Sequence, residues 1–234
     1  MTHHTSDLSA GKLSAAHRVP MDTIGYIQHI DIAALDELAE QQSGEIAVLA
    51  RPGAFVDPSR PVLAFVGFSG PEARKAAAAS VSIGKNRRYD QDPRFGLCVL
   101  AEIAQRALSP AVNDPATAID IVGRAVRLLV DWQRFPPERR EKPSCSRVFV
   151  PPLHAQDLCD DIIAPIARDG ADKLEVQVRL QKGLRAIAAA GDPEMAAAAT
   201  ASSALALRRA EIALTLDEDK QILRKLAEPA VASL

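Results

Sequence analysis

The residues of this chain whose types and spacing can do chemistry crowd into one stretch. Arg87, Arg88, Asp90, Gln91 and Asp92 share a polar loop; Arg106, Ser109, Asn113, Asp114 and Thr117 follow on either side of a proline break at Pro110. Arg106 is a fork donor suited to a carboxylate or phosphate, and a helix start at Asp114 and Thr117 offers directed amides. Arg87, Arg88, Asp92, Arg106, Ser109, Asn113, Asp114 and Thr117 are therefore the candidate residues for a small anionic ligand or a charged protein interface. A bolder reading makes Arg106 an anion clamp and Asp114 a general base in a hydrolase or transferase. A plainer one makes Asp92 and Asp114 helix caps, with Arg106 paired to one of them across the break and Ser109 and Asn113 satisfying loop amides. Capping explains each residue type singly, though not their crowding.

Other catalytic signatures are absent. The sequence holds no H-E-x-x-H, G-x-S-x-G or calcium-loop pattern, and His29 and His154 are isolated. Gly84-Lys85 fails as a phosphate loop, because Ala79 stands where the first glycine is needed and Asn86 where Ser or Thr is. Asp157, Asp160 and Asp161 read as a solvated helix face, so no metal and no cofactor is expected. Cys98, Cys145 and Cys159 show no paired spacing, which suits a reducing compartment. With 28 basic against 30 acidic side chains and 4 % aromatics, neither a phosphate-tracking surface nor a base-stacking platform is expected, and nucleic acid is excluded as a partner. The uncharged run Met195 to Leu207 falls short of the roughly 18–20 apolar residues of a membrane span, and the first twenty residues lack the apolar core of a signal peptide, so a cytoplasmic location is expected.

The elements that must position the polar stretch are legible from period and punctuation. Residues 1–20 read as a disordered lead-in. Residues 21–70 read as a small β-rich module: strands at 25–30, 45–50 and 61–66 and a helix capped by Asp31. Residues 71–234 read as a mainly helical body, with one continuous domain from 21 to 234 as the alternative division. Its first helix opens at Pro71 and runs to about Ile83 with Gly84 as its stop. Asp92-Pro93, Asp114-Pro115 and Asp192-Pro193 are three helix starts of one kind. Leu97, Leu100, Ala101, Ala104 and Leu108 give the first of these helices a buried face, and Ile119, Val122, Val126, Leu129 and Val130 the second, with Trp132 at the core edge. A loop from 134 to 146 and a strand at 147–150 precede helices near 154–168, 172–190, 193–215 and 217–228. The expected fold is α+β and mainly helical, a small β-rich N-terminal module packed on a helical bundle. Alanine-rich helix faces suggest a homo-oligomer.

Several strings also carry a family likeness. Gly25-Tyr-Ile-Gln-His-Ile-Asp31, Arg51-Pro-Gly-Ala-Phe-Val56, Gln91-Asp-Pro-Arg-Phe-Gly96 and the long Ile103-Ala-Gln-Arg-Ala-Leu-Ser-Pro-Ala-Val-Asn-Asp-Pro-Ala-Thr117 resemble, in order and spacing, domain-of-unknown-function family 2254, bacterial proteins predicted to be membrane proteins. The likeness covers roughly residues 20 to 230. Family members typically carry several transmembrane helices before a soluble region, and this chain resembles that soluble region. The resemblance implies a shared fold and membrane-anchored kin, and transfers no reaction. The leading expectation is a non-enzymatic binding or regulatory domain that acts by self-association or by contact with a membrane partner. The rivals are a small anionic-ligand sensor and the Arg106–Asp114 enzyme.

Overall fold

A computed structural model of the chain describes residues 2–4, 8–134 and 145–228. It is α+β and mainly helical, and it divides into two units. The first holds residues 1–95 and 140–152, the second residues 96–139 and 153–234. The boundary differs from a cut at residue 70: the chain passes into the helical unit just after the first turn of a helix and returns once to contribute a strand.

In the first unit, β1 (Thr2–His4), β8 (Cys145–Val150), β4 (Glu45–Val48), β6 (Pro61–Val66) and β2 (His17–Pro20) form a five-stranded sheet in that order. β8 lies parallel to β1 and β4, and the remaining pairs are antiparallel. Both faces of this sheet are covered at its centre, where β4 and β6 are near-continuous apolar runs. Ile46, Val48, Leu63, Phe65 and Val148 join the larger core with Leu35 and Leu38 of α2 (Ile32–Gln41). Ala47, Ala64 and Phe149 pack on the other side against Leu8, with Leu13 of α1 (Ala10–Ser14) beside them. That second face is why residues 8–20 are ordered where a lead-in was expected. Leu8 and Leu13 cover small side chains, and β2 pairs with β6.

A three-stranded sheet, β5 (Phe55–Val56), β3 (Gly25–Ile30) and β7 (Val81–Gly84), completes the unit with α3 (Pro71–Ala79). The helix from Pro71 is thus shorter than its alanine content suggests. Val81 and Ile83 leave it to pair with Ile30 and Ile27 of β3, a long-range ladder that local propensity does not register.

The second unit takes α4 (Pro93–Leu108) from Gly96 onward, α5 (Pro115–Gln133), α6 (Ala155–Asp169), α7 (Leu174–Ala188), α8 (Pro193–Ala213) and α9 (Asp217–Ala227). α7 is central: Val176, Leu180, Leu184 and Ile187 are buried among residues of α4, α5, α6 and α8. Burying each such aliphatic side chain is worth roughly 1.5–3 kcal/mol before entropy is counted. Close approach is built in at Gly183, where a Cβ would come within 2.6 Å of Val126 on α5. Two buried glutamines tie the bundle. Gln177 donates to the carbonyls of Ala167 and Gly170 at 3.2 and 3.0 Å, closing the end of α6. Gln181 donates to Ser203 O at 3.1 Å and accepts from Ser203 Oγ, joining α7 to α8. Trp132 is 38 % exposed, so it lies at the rim of this core instead of closing it. Among the described residues no helix is long and apolar enough to cross a membrane.

Candidate functional site

The polar stretch falls in both units. Arg87, Arg88 and Asp92 belong to the first; Arg106, Ser109, Asn113, Asp114 and Thr117 belong to the second.

In the first unit the segment after β7 folds back onto β3 and is clamped there. Gln28 donates to Asn86 O at 2.7 Å. Gln91 accepts from Ile30 N–H at 2.9 Å and donates to Ile30 O at 3.3 Å, supplying the pair of bonds that a neighbouring strand would give. Asp92 is only 3 % exposed. The Arg87 guanidinium grips it with both arms, Nε to Oδ2 at 2.7 Å and Nη2 to Oδ1 at 2.9 Å. The same carboxylate accepts from Phe95 N–H at 3.1 Å and so starts α4, with Pro93 in the first turn where a missing amide costs nothing. Arg87 also lies 5.0 Å from the Phe95 ring centre, and Tyr89 stacks on that ring at 4.6 Å. Beneath the carboxylate sits Gly53, at φ +91°, whose N–H donates to Ile27 O at 2.8 Å; a Cβ there would overlap Asp92. Arg87 and Asp92 are thus turned toward each other as a partly buried ion pair, with the carboxylate the buried member. Arg88 and Tyr89 point out.

In the second unit the junction of α4 and α5 is a tight turn. Ser109 N–H and Oγ both donate to Arg106 O, at 3.3 and 2.7 Å, and the amides of Val112 and Asn113 donate to Ser109 O at 3.0 and 2.8 Å. Asn113 adopts φ +49°, the left-handed conformation that Asn tolerates better than most residues. Asp114 caps α5: Oδ1 accepts from Thr117 N–H at 3.1 Å and Oδ2 from Thr117 Oγ1 at 2.6 Å. Those bonds, the Thr117 hydroxyl first, hold the Asp114 pKa below its ordinary value of 3.8. Both oxygens of the candidate base are occupied, and its charge is stabilised in place. Arg106 is exposed and has no ion-pair partner among the described residues, contrary to its expected pairing with Asp92 or Asp114. The residue that pairs with Asp92 is Arg87, five positions away and across the loop.

Sequence reasoning missed Gly53, Gln91 as a strand substitute and the Tyr89–Phe95–Arg87 stack. A Pro-Gly turn at 52–53 was legible, but its contact with a residue 39 positions later has no local signature. No group of three or more metal-ligating side chains converges among the described residues.

The fold is α+β in two units, and an Asp-Pro pair starts each of three helices, one of them held by a partly buried arginine. The chain belongs to domain-of-unknown-function family 2254, described as a predicted membrane protein, which it matches over residues 2–186. It is also similar to uncharacterised proteins of Mycobacterium bovis and Mycobacterium tuberculosis, each 29 % identical over 210 residues, or 85 % of this chain. It spans 40 % of the length of these curated relatives. No solved structure matches it.

Proposed function

We propose that this chain is a non-catalytic binding and regulatory module that works by contact with a membrane partner. One observation carries the reading: the first unit exposes large apolar side chains beside unpaired cations. Ile24, Phe55 and Tyr89 are 64, 52 and 62 % exposed. Phe55 meets Tyr26 edge-on at 5.2 Å, Tyr26 pairs with Gly84, and the exposed Lys85, Arg88 and Tyr89 follow within five residues. Exposed apolar side chains, with Lys85 and Arg88 close by in sequence and without an ion-pair partner among the described residues, suit an acidic, partly apolar partner surface. The family's description supplies the membrane. The occupied oxygens of Asp114 and the buried pairing of Asp92 favour this reading over the Arg106–Asp114 enzyme.

A photocrosslinking residue at position 55, introduced in the native host, tests it. The expected product is an adduct of one defined mass in the membrane fraction, lost when Arg88→Glu is added. Labelling no different from that at exposed Glu175 would contradict it.

Self-association is the second reading. Leu128 and Trp132 stand one turn apart on the outer side of α5, 49 and 38 % exposed. A light-scattering mass that rises with concentration, and falls back for Leu128→Glu, would favour it.

A further inference from the structure

α6 and α8 run side by side in the same direction. Near their starts Ala155 N–H donates to Glu194 Oε1 at 2.9 Å, and further along Arg209 donates to Ala164 O at 2.7 Å. An open groove of about 260 Å³ lies between them. Ile163, Ala164, Ala167, Leu205 and Ala206 give it apolar walls; the alanines leave room that longer side chains would fill. Charged side chains of both signs line it: Asp160, whose Oδ1 accepts from Gln156 at 2.8 Å, and Arg208 and Arg209. Arg209 is engaged by Ala164 O, whereas Arg208 is exposed and has no hydrogen-bond or ion-pair partner among the described residues.

We propose that this groove binds a small aliphatic carboxylate, its head on the Arg208 guanidinium and its hydrocarbon stem along Ile163, Ala164 and Leu205. The unpartnered guanidinium calls for an anion, and its fork matches a planar carboxylate through two parallel bonds. The apolar walls call for a stem. The volume, a little below the roughly 300–1,000 Å³ of sites for drug-sized ligands, suits a small acid. The groove shares no residue with the face in the first unit, so either proposal can fail alone.

Titration calorimetry of the whole chain with sodium hexanoate, acetate and inorganic phosphate at matched ionic strength tests this. Hexanoate is expected to bind once per chain and about tenfold or more tighter than acetate, because only it has a stem to bury. Phosphate is expected to bind no better than acetate. Arg208→Gln should weaken hexanoate by about tenfold or more through loss of the charged fork. Ala201→Leu adds bulk at the exposed rim of the groove and should abolish binding without changing the circular dichroism spectrum. Absence of a hexanoate signal, phosphate binding as tight as hexanoate, or binding that survives both substitutions would overturn the proposal.

Discussion

Asp92 and Asp114 are written alike in the sequence, each an aspartate before a proline that starts a helix, yet the two differ in what rests on them. Asp92 is buried in the first unit, held by two arms of Arg87 and seated on the backbone of Gly53. Asp114 is half-exposed in the second unit, and its carboxylate is held by local groups, chiefly the amide and hydroxyl of Thr117, three residues on. Removing Asp114 loses a cap. Removing Asp92 loses a cap, takes away the carboxylate that both arms of Arg87 hold, and opens a void over Gly53. A local motif therefore says where a helix begins and says nothing of its weight, which comes from what the rest of the chain brings to it.

That contrast can be broken by substitution. Asp92→Ala should destabilise the first unit by about 2–4 kcal/mol, through loss of the cap on α4 and of the charge-assisted bonds from Arg87, seen as hydrogen exchange appearing in β3 and β7. Gly53→Ala should cost about 1–3 kcal/mol for its positive φ alone, with the overlap on Asp92 adding to it, and should raise exchange in the same strands. Gln91→Ala should cost about 1–3 kcal/mol by removing the two bonds that its amide makes to the Ile30 backbone, and should loosen β3 only. Asp114→Ala should give a smaller loss, confined to the first turn of α5. Arg106→Ala should leave stability within about 0.5 kcal/mol, since its guanidinium holds nothing in place.

Acid sharpens the same contrast. The Asp114 pKa is held down by Thr117, and that of Asp169 by Arg168, with Gln105 and Arg209 adding to it. A carboxylate whose folded pKa is depressed adds stability above its unfolded value near 3.8, and that stability is lost as pH falls through the folded value. The helical unit should therefore weaken below about pH 4, as followed by circular dichroism, and the acid-induced loss should shrink in Asp114→Asn.

Much of the helical unit was legible because its helices carry their own signals. Asp-Pro starts, a proline break and 3.6-residue stripes fixed α4, α5 and α8 to within a few residues. The β-rich unit was less legible. β7 was hidden in an alanine-rich run because what makes it a strand is Ile27 and Ile30, some fifty residues earlier. The order in residues 8–20 was missed because two isolated leucines, Leu8 and Leu13, give no period of their own, and the face they cover, Ala47, Ala64 and Phe149, lies far along the chain. Of the polar stretch, the caps at Asp92 and Asp114 were readable from sequence. The partner of Asp92 was not: two adjacent arginines, Arg87 and Arg88, look alike, and only the fold turns one in and the other out.

A double-mutant cycle on Arg87 and Asp92, read by hydrogen exchange of β3 amides, bears most directly on the claim that this polar stretch is architectural in the first unit. Arg87→Ala, Asp92→Ala and the double variant should show coupling of about 1–3 kcal/mol, with the double variant less damaged than the two single losses would sum to. Additive losses, or an Asp92→Ala variant no less stable than Asp114→Ala, would contradict it.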